Sequence, residues 1–172
     1  VWSWQRLLSP ALGSEYAYML FPVKNAQAFN QGKITDFGEV GVKALDKLTL
    51  QVTLNERTPY FLQLMDLYST FAVHRRTIEK FGSASDRYTP WTRVENMVSN
   101  GAFRLKDWQL YRRLEVEKSD TYWDRDKVKL NGIVFHPTEN SVSEERMFRV
   151  GQLHYTGSVP LGKIPVYQEM AD

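Results

Sequence analysis

Ala102-Phe103-Arg104-Leu105 and Arg113-Leu114-Glu115-Val116-Glu117-Lys118 alternate apolar with polar side chains. A period of two puts one face of a segment against a core and the other in water, as a half-buried β-strand requires. The stretch from Asp107 to Tyr111 between them reads as a connecting loop, so the pair predicts an antiparallel hairpin. Further along, Val128 to Phe135 reads as another strand. Ser141-Val142-Ser143-Glu144 has the spacing of a capping box and predicts a helix running to about Val150, with Gly151 just past its end. Leu153-His154-Tyr155-Thr156 reads as a short strand and Ile164 to Met170 as a last helix. Strand, helix, strand in that order predicts a parallel crossover, and with it an α/β sheet.

Toward the N-terminus the same alternation returns once. Val42 and Ala44, then Leu48, Leu50, Val52 and Leu54, alternate with polar residues around a turn at Asp46-Lys47. The remaining segments read as short helices. Val1 to Leu8 looks like a helix already under way, because no capping residue precedes it, and this predicts a truncated start. Ser14 to Leu20 reads as a helix capped by Ser14 and interrupted by Pro22, and Asn25 to Gln31 as one ended by Gly32. Thr58-Pro59 is a helix start, and Arg76 to Phe81 stops at Gly82. The polar stretch Ser83 to Pro90 reads as a loop joining two units, so the expected division is 1–82 and 83–172.

A chain of 172 residues, 42% hydrophobic and 24% charged, has a globular composition. Its net charge is only +2 with the signs interspersed, so no basic tract points to nucleic acid. The absence of cysteine excludes a disulfide framework, a thiolate metal site and a cysteine nucleophile. Apolar runs such as Tyr18 to Val23 fall far short of the ~20 residues that span a bilayer. No initiator Met, charged start or cleavage site is present, so no secretion signal is expected within these residues. His74, His136 and His154 are widely separated with no carboxylate at ligand spacing, and no metal site is expected. Glu144-Glu145 falls in a helix's opening turn, where the dipole favours negative charge. No Gly-x-Ser-x-Gly elbow or Gly-rich phosphate loop occurs, so no catalytic residue is expected either. Trp2, Trp4, Trp91, Trp108 and Trp123 are expected to pack rather than to stack on a ligand.

Five ordered segments carry a resemblance. They are Val1-Trp2-Ser3-Trp4-Gln5-Arg6-Leu7; Gly41 to Asp46 with Leu50-x-Val52-Thr53-Leu54 and Thr58-Pro59-Tyr60-Phe61; Ser99-Asn100-Gly101-Ala102-Phe103-Arg104-Leu105; Tyr122-Trp123-Asp124; and Arg149-x-Gly151-x-Leu153. In this order and at these separations they resemble the Ser-Trp-x-Arg helix, the hairpin with its following helix, the Asn-Gly-Ala-Tyr-Lys-Leu turn, the Tyr-Trp-Asp loop and the Arg-x-Gly-Glu-Ile/Val-Asp helix end of the periplasmic oligopeptide-binding proteins, solute-binding family 5. Nearly all of the chain is covered.

The resemblance implies an α/β fold made of two parts. Residues 1–82 would be the later part of a small α+β subdomain, and residues 83–172 part of lobe one of a type II periplasmic-binding-protein fold. The chain would then be an internal fragment whose partners include the remainder of the two-lobed protein, with apolar surface left uncovered. The implied function is capture of a peptide or other small solute between two hinged lobes, for import through an ABC permease in the membrane. It implies an exported, periplasmic or cell-envelope protein that is not an enzyme and uses no cofactor or nucleic acid. Tyr16 matches a tyrosine that reaches the ligand. Thr156-Gly157-Ser158 matches the place where a Tyr-Asn pair contacts peptide backbone, and with Gly157-Ser158 standing there a ring and an amide are lost. Gln152 and His154 replace the usual acidic pair. Three other readings stay open: a non-peptide solute binder, a ligand-sensing domain of a cytoplasmic transcriptional regulator, and a structural surface protein.

Overall fold

Trp2–Leu8 forms the first helix, α1, with no capping side chain at Val1 and with Leu7 and Leu8 buried. In the computed structural model, which describes residues 1–170, this helix belongs to the first of two compact units, Val1–Gly101; the second begins at Ala102. That division falls later than the one expected after Gly82. The stretch between packs into the first unit, where the Trp91 ring lies 5.8 Å beneath the Arg6 guanidinium.

Within the first unit, the helix expected at Ser14 to Leu20 is shorter and tighter. Ser14 caps no helix: its hydroxyl accepts from the Tyr16 amide at 3.4 Å, and a 3-10 segment follows at Ala17–Leu20. Pro22 has no amide to donate, so an α-helical ladder cannot run past it. Helix α2, Ala26–Asn30, enters from Asn25 at φ 61° and leaves at Gly32 at φ 72°, a left-handed conformation in which glycine is at no steric disadvantage. Strands β1, Val42–Ala44, and β2, Leu50–Val52, pair antiparallel with Val42 opposite Val52. Their loop closes on Asp46, whose carboxylate accepts from the Leu48 and Thr49 amides at 2.7 and 2.8 Å. The expected alternation is only half realised, for Val42 is buried while Leu48 is 97% exposed.

Thr58-Pro59 forms a turn rather than a helix start, with Phe61 N bonded to Thr58 O; helix α3 follows at Phe61–Leu64. Helix α4 spans Arg75–Lys80.

The core of this unit forms where α1, the Ala17–Leu20 segment, α2 and β1 converge. Leu8, Leu20, Val23, Ala26 and Val40 are fully buried, and Phe29 meets Phe37 edge to face at 5.1 Å. Burying each Leu or Val contributes about 2 kcal/mol relative to leaving it in water. Among the side-chain bonds that tie distant segments to α1, Trp4 Nε1 donates to Thr70 O at 2.8 Å, and Asn30 Nδ2 donates to Leu8 O at 3.1 Å. The second of these satisfies a carbonyl that the end of α1 leaves without a helical partner.

In the second unit β3, Phe103–Gln109, β4, Arg113–Lys118, and β5, Gly132–Phe135, form an antiparallel sheet in that order. Leu105 faces Val116 and Val116 faces Ile133, while a bulge between Leu105 and Asp107 shifts the register. Arg104–Glu117, Lys106–Glu115 and Arg113–Asp107 pair charges across β3 and β4 at 2.8, 2.5 and 3.0 Å. The strand expected from Val128 begins only at Gly132.

Helix α5, Ser141–Arg149, is capped by Asn140 and not by Ser141: the Asn140 side-chain oxygen accepts from the Val142 and Ser143 amides at 2.9 and 3.1 Å. Asn140→Ala is therefore expected to cost about 1 kcal/mol, read as a lower urea midpoint for the second unit, whereas Ser141→Ala is expected to leave it unchanged. Gly151, at φ 75°, ends the helix as expected.

The parallel crossover does not form. Among the described residues no strand follows α5, and the sheet is antiparallel throughout. Leu153 to Thr156 has no neighbouring strand to complete a ladder. The Gln152 and Leu153 amides turn back instead onto Met147 O at 2.9 and 3.4 Å. Helix α6, Ile164–Glu169, is pinned to α5 by the Tyr167 hydroxyl, which donates to the buried Glu145 carboxylate at 2.8 Å. Every buried apolar side chain among the described residues lies in the first unit; in the second, Ser119 and Glu145 are the buried residues, and Val134, Phe135 and Trp123 are exposed. The expectation that the tryptophans pack thus fails for Trp123, which is 82% exposed against Tyr122, and is only half met by Trp108, which is 48% exposed.

Candidate functional site

Tyr16 immediately precedes the Ala17–Leu20 segment and keeps 41% of its surface in water. Its ring is stacked near Tyr18, 6.4 Å between centroids, and meets Tyr68 edge-on at 5.9 Å. The Tyr68 phenol is held above its ordinary value, first through its hydrogen-bonding neighbour Tyr16 and then by that group's charge. Tyr16 also borders a shallow opening of about 360 Å³ with Leu12, Ser14, Glu15 and Arg87. Such a surface, a phenol beside one cation and one anion, offers a flat apolar face with polar groups at its rim, which is how ligand walls are built. Tyr68 is not legible from sequence spacing, because it lies far along the chain and only the fold brings it to Tyr16.

Thr156, Gly157 and Ser158 follow the end of α5 and are gathered by a single carboxylate. Glu144 Oε1 accepts from the Thr156 hydroxyl at 2.6 Å and from the Gly157 amide at 3.0 Å, and Glu144 Oε2 accepts from the Ser158 hydroxyl at 3.3 Å. Ser158 N in turn donates to Thr156 Oγ1 at 3.5 Å. These residues form a tight, solvent-facing turn. Glu144 is thus not the second half of a capping box, since Asn140 already serves the α5 amides and the carboxylate is turned toward the returning chain.

The Thr156 hydroxyl first and the Gly157 amide second hold the Glu144 carboxyl below its usual value against an opposing desolvation, with the Ser158 hydroxyl adding least. A group with a depressed folded value keeps its bonds above the ordinary carboxylate range and loses them as pH falls through the folded value. The Gly157 amide resonance is accordingly expected to move with an acid-limb midpoint below the ordinary glutamate range; a midpoint at or above that range would contradict the bond. Tyr16 lies in the first unit and the Thr156–Ser158 turn in the second. Among the described residues no group of histidines and carboxylates is arranged to hold a metal, and no helix is long and apolar enough to cross a membrane.

Residues 1–172 match the bacterial extracellular solute-binding proteins, family 5 Middle. The chain is 39% identical over 166 residues to the periplasmic oligopeptide-binding protein OppA of Escherichia coli, covering 94% of this chain and 29% of that protein. Among solved structures it is similar to Burkholderia pseudomallei OppA, with a TM-score of 0.89 and 35% identity over 98% of this chain and 32% of the other. It is also similar to Haemophilus influenzae OppA in complex with RPPGFSPFR, with a TM-score of 0.88 and 28% identity over 98% and 32%. The chain thus spans under a third of the length of these relatives. Its full-length match and its fold make it a member of the bacterial extracellular solute-binding proteins, family 5, within their middle region.

Proposed function

We propose that this chain is part of an exported, periplasmic receptor that captures oligopeptides for an ABC importer and performs no catalysis. The observation that carries the reading is the likeness, across nearly the whole chain, to an OppA solved with a bound peptide. Residues 1–82 are read as the later part of the small α+β subdomain and residues 83–172 as part of lobe one, although Ser83 to Gly101 packs with the first unit. Tyr16 is assigned the role of an aromatic ligand wall. Thr156, Gly157 and Ser158 are assigned to the peptide backbone, their donors to Glu144 leaving backbone carbonyls for strand-like recognition.

Ligand touching both lobes would favour the closed state, which the permease then recognises. Gly157 offers no side chain, so a ligand residue resting there gains room and loses a ring contact. This predicts tolerance of bulky peptide side chains at that position.

Calorimetry of the full-length protein with a mixed tripeptide library tests the reading. Saturable heat is expected; none, together with heat from a non-peptide solute, would move the assignment to a different ligand class. The gene supplies a second check. An export signal upstream of Val1 is expected, and an upstream helix-turn-helix would instead assign the fold to a cytoplasmic regulator.

A further inference from the structure

We propose that Glu144 is a positioning residue for solute capture, holding the Thr156-Gly157-Ser158 turn in the shape that meets the ligand; this rests on the reading of that turn as a ligand contact. The argument begins with what fails to hold the turn. Gly157 and Ser158 are exposed, and a side chain added at Gly157 would meet nothing within 4 Å. Tyr155 and Leu161, on either side, are 82% and 85% exposed. No apolar packing fixes this segment, and glycine leaves its backbone free to adopt many conformations.

Three donors nevertheless converge on one carboxylate, at 2.6, 3.0 and 3.3 Å. Bonds to an ionised acceptor are stronger than those between neutral groups. Glu144 makes no ion pair among the described residues, so its hydrogen bonds are spent on the turn. Its base is firm. The next residue, Glu145, is buried and held by Tyr167 at 2.8 Å and Arg149 at 3.4 Å, which fixes α5 against α6. A turn ordered in advance spares the ligand the entropy of ordering it. Glu144 therefore sets affinity without touching the ligand.

The test uses the full-length protein, hydrogen exchange at the Gly157 and Ser158 amides, and a mixed tripeptide library as probe. Glu144→Ala is expected to speed exchange at both amides without ligand and to weaken binding at least about tenfold, with Glu144→Asp recovering part of each. Unchanged exchange in Glu144→Ala overturns the proposal whatever happens to binding. Faster exchange with unchanged affinity also overturns it, and Gly157→Trp then shows where the fault lies. If Gly157→Trp abolishes binding, the turn contacts ligand and only the positioning role is wrong. If Gly157→Trp binds normally, the ligand reading of the turn has failed and the positioning role falls with it; if the wild type binds none of the library, it is the oligopeptide reading of the whole receptor that has failed, and the positioning role falls with that instead.

Discussion

Replacing Gly41 with alanine is expected to destabilise the first unit by roughly 3 kcal/mol, the upper end of what over-packing usually costs. Gly41 sits where three strands of backbone cross. Its amide donates to Lys24 O at 2.9 Å, Lys24 N donates to Thr53 O at 2.9 Å, and Thr53 N donates to Gly41 O at 2.7 Å. A Cβ at this position would collide with Thr53 O and lie 2.9 Å from Lys24 Cβ and 3.1 Å from Thr53 Cβ. The first collision is with backbone, so no rotamer change relieves it. Relief requires the strands to part, which breaks bonds worth about 1 kcal/mol each and loosens Val40 and Val42, both buried beside them. Gly162→Ala is the control, since nothing lies within 4 Å of a Cβ there, and its change is expected within about 0.5 kcal/mol. Urea melts of both variants check the prediction, and equal midpoints would show that the crossing is looser than its geometry states.

The same crossing explains what could be read from the sequence. The hairpin that begins at Gly41 is legible in the sequence and present in the fold, because alternation over a few residues is a local property. Its contact with Lys24 was not legible, since nothing in the spacing of Lys24, Gly41 and Thr53 says that they meet. The β3–β4 hairpin and the end of α5 at Gly151 were legible for the same local reason.

Helix starts were misplaced by small amounts where two residues compete for one role. Asn140 and Ser141 can each cap α5, and the side chain that reaches the free amides is Asn140. The strand predicted at Leu153 to Thr156 failed for a different reason. A strand exists only beside a neighbour that takes its amides and carbonyls, and whether a neighbour is present is not written in the segment itself. Of the candidate site, the positions of Tyr16 and the Thr156–Ser158 segment came from the family resemblance. The partners that shape them, Tyr68 and Glu144, came from the fold alone, being 52 and 12 residues away in sequence.

On the proposed function, the 172-residue chain by itself is expected to bind peptides at least about a hundredfold more weakly than the full-length protein, a loss of about 2.7 kcal/mol. Association carries a cost in translational and rotational freedom whatever the size of the surface that does the binding. On that reading the full receptor would offset it with surfaces on both sides of an enclosed ligand. This chain covers 29% of the E. coli relative, and the opening at Tyr16 is shallow, at about 360 Å³ near the lower end for ligand pockets. The donors of the Thr156–Ser158 turn are already engaged by Glu144, and the polar groups left over face water, so exchanging water for peptide there gains about 1 kcal/mol per bond at most. Neither feature excludes solvent, and a bond made in water contributes little. The exposed Val134, Phe135 and Leu48 add a second expectation, that the isolated chain self-associates with concentration. Calorimetry on both proteins with the same tripeptide library, after circular dichroism has verified that the short chain is folded, measures the difference. Micromolar binding by the short chain would mean that its own surfaces form a complete site, and enclosure by a second lobe would then be unnecessary for capture.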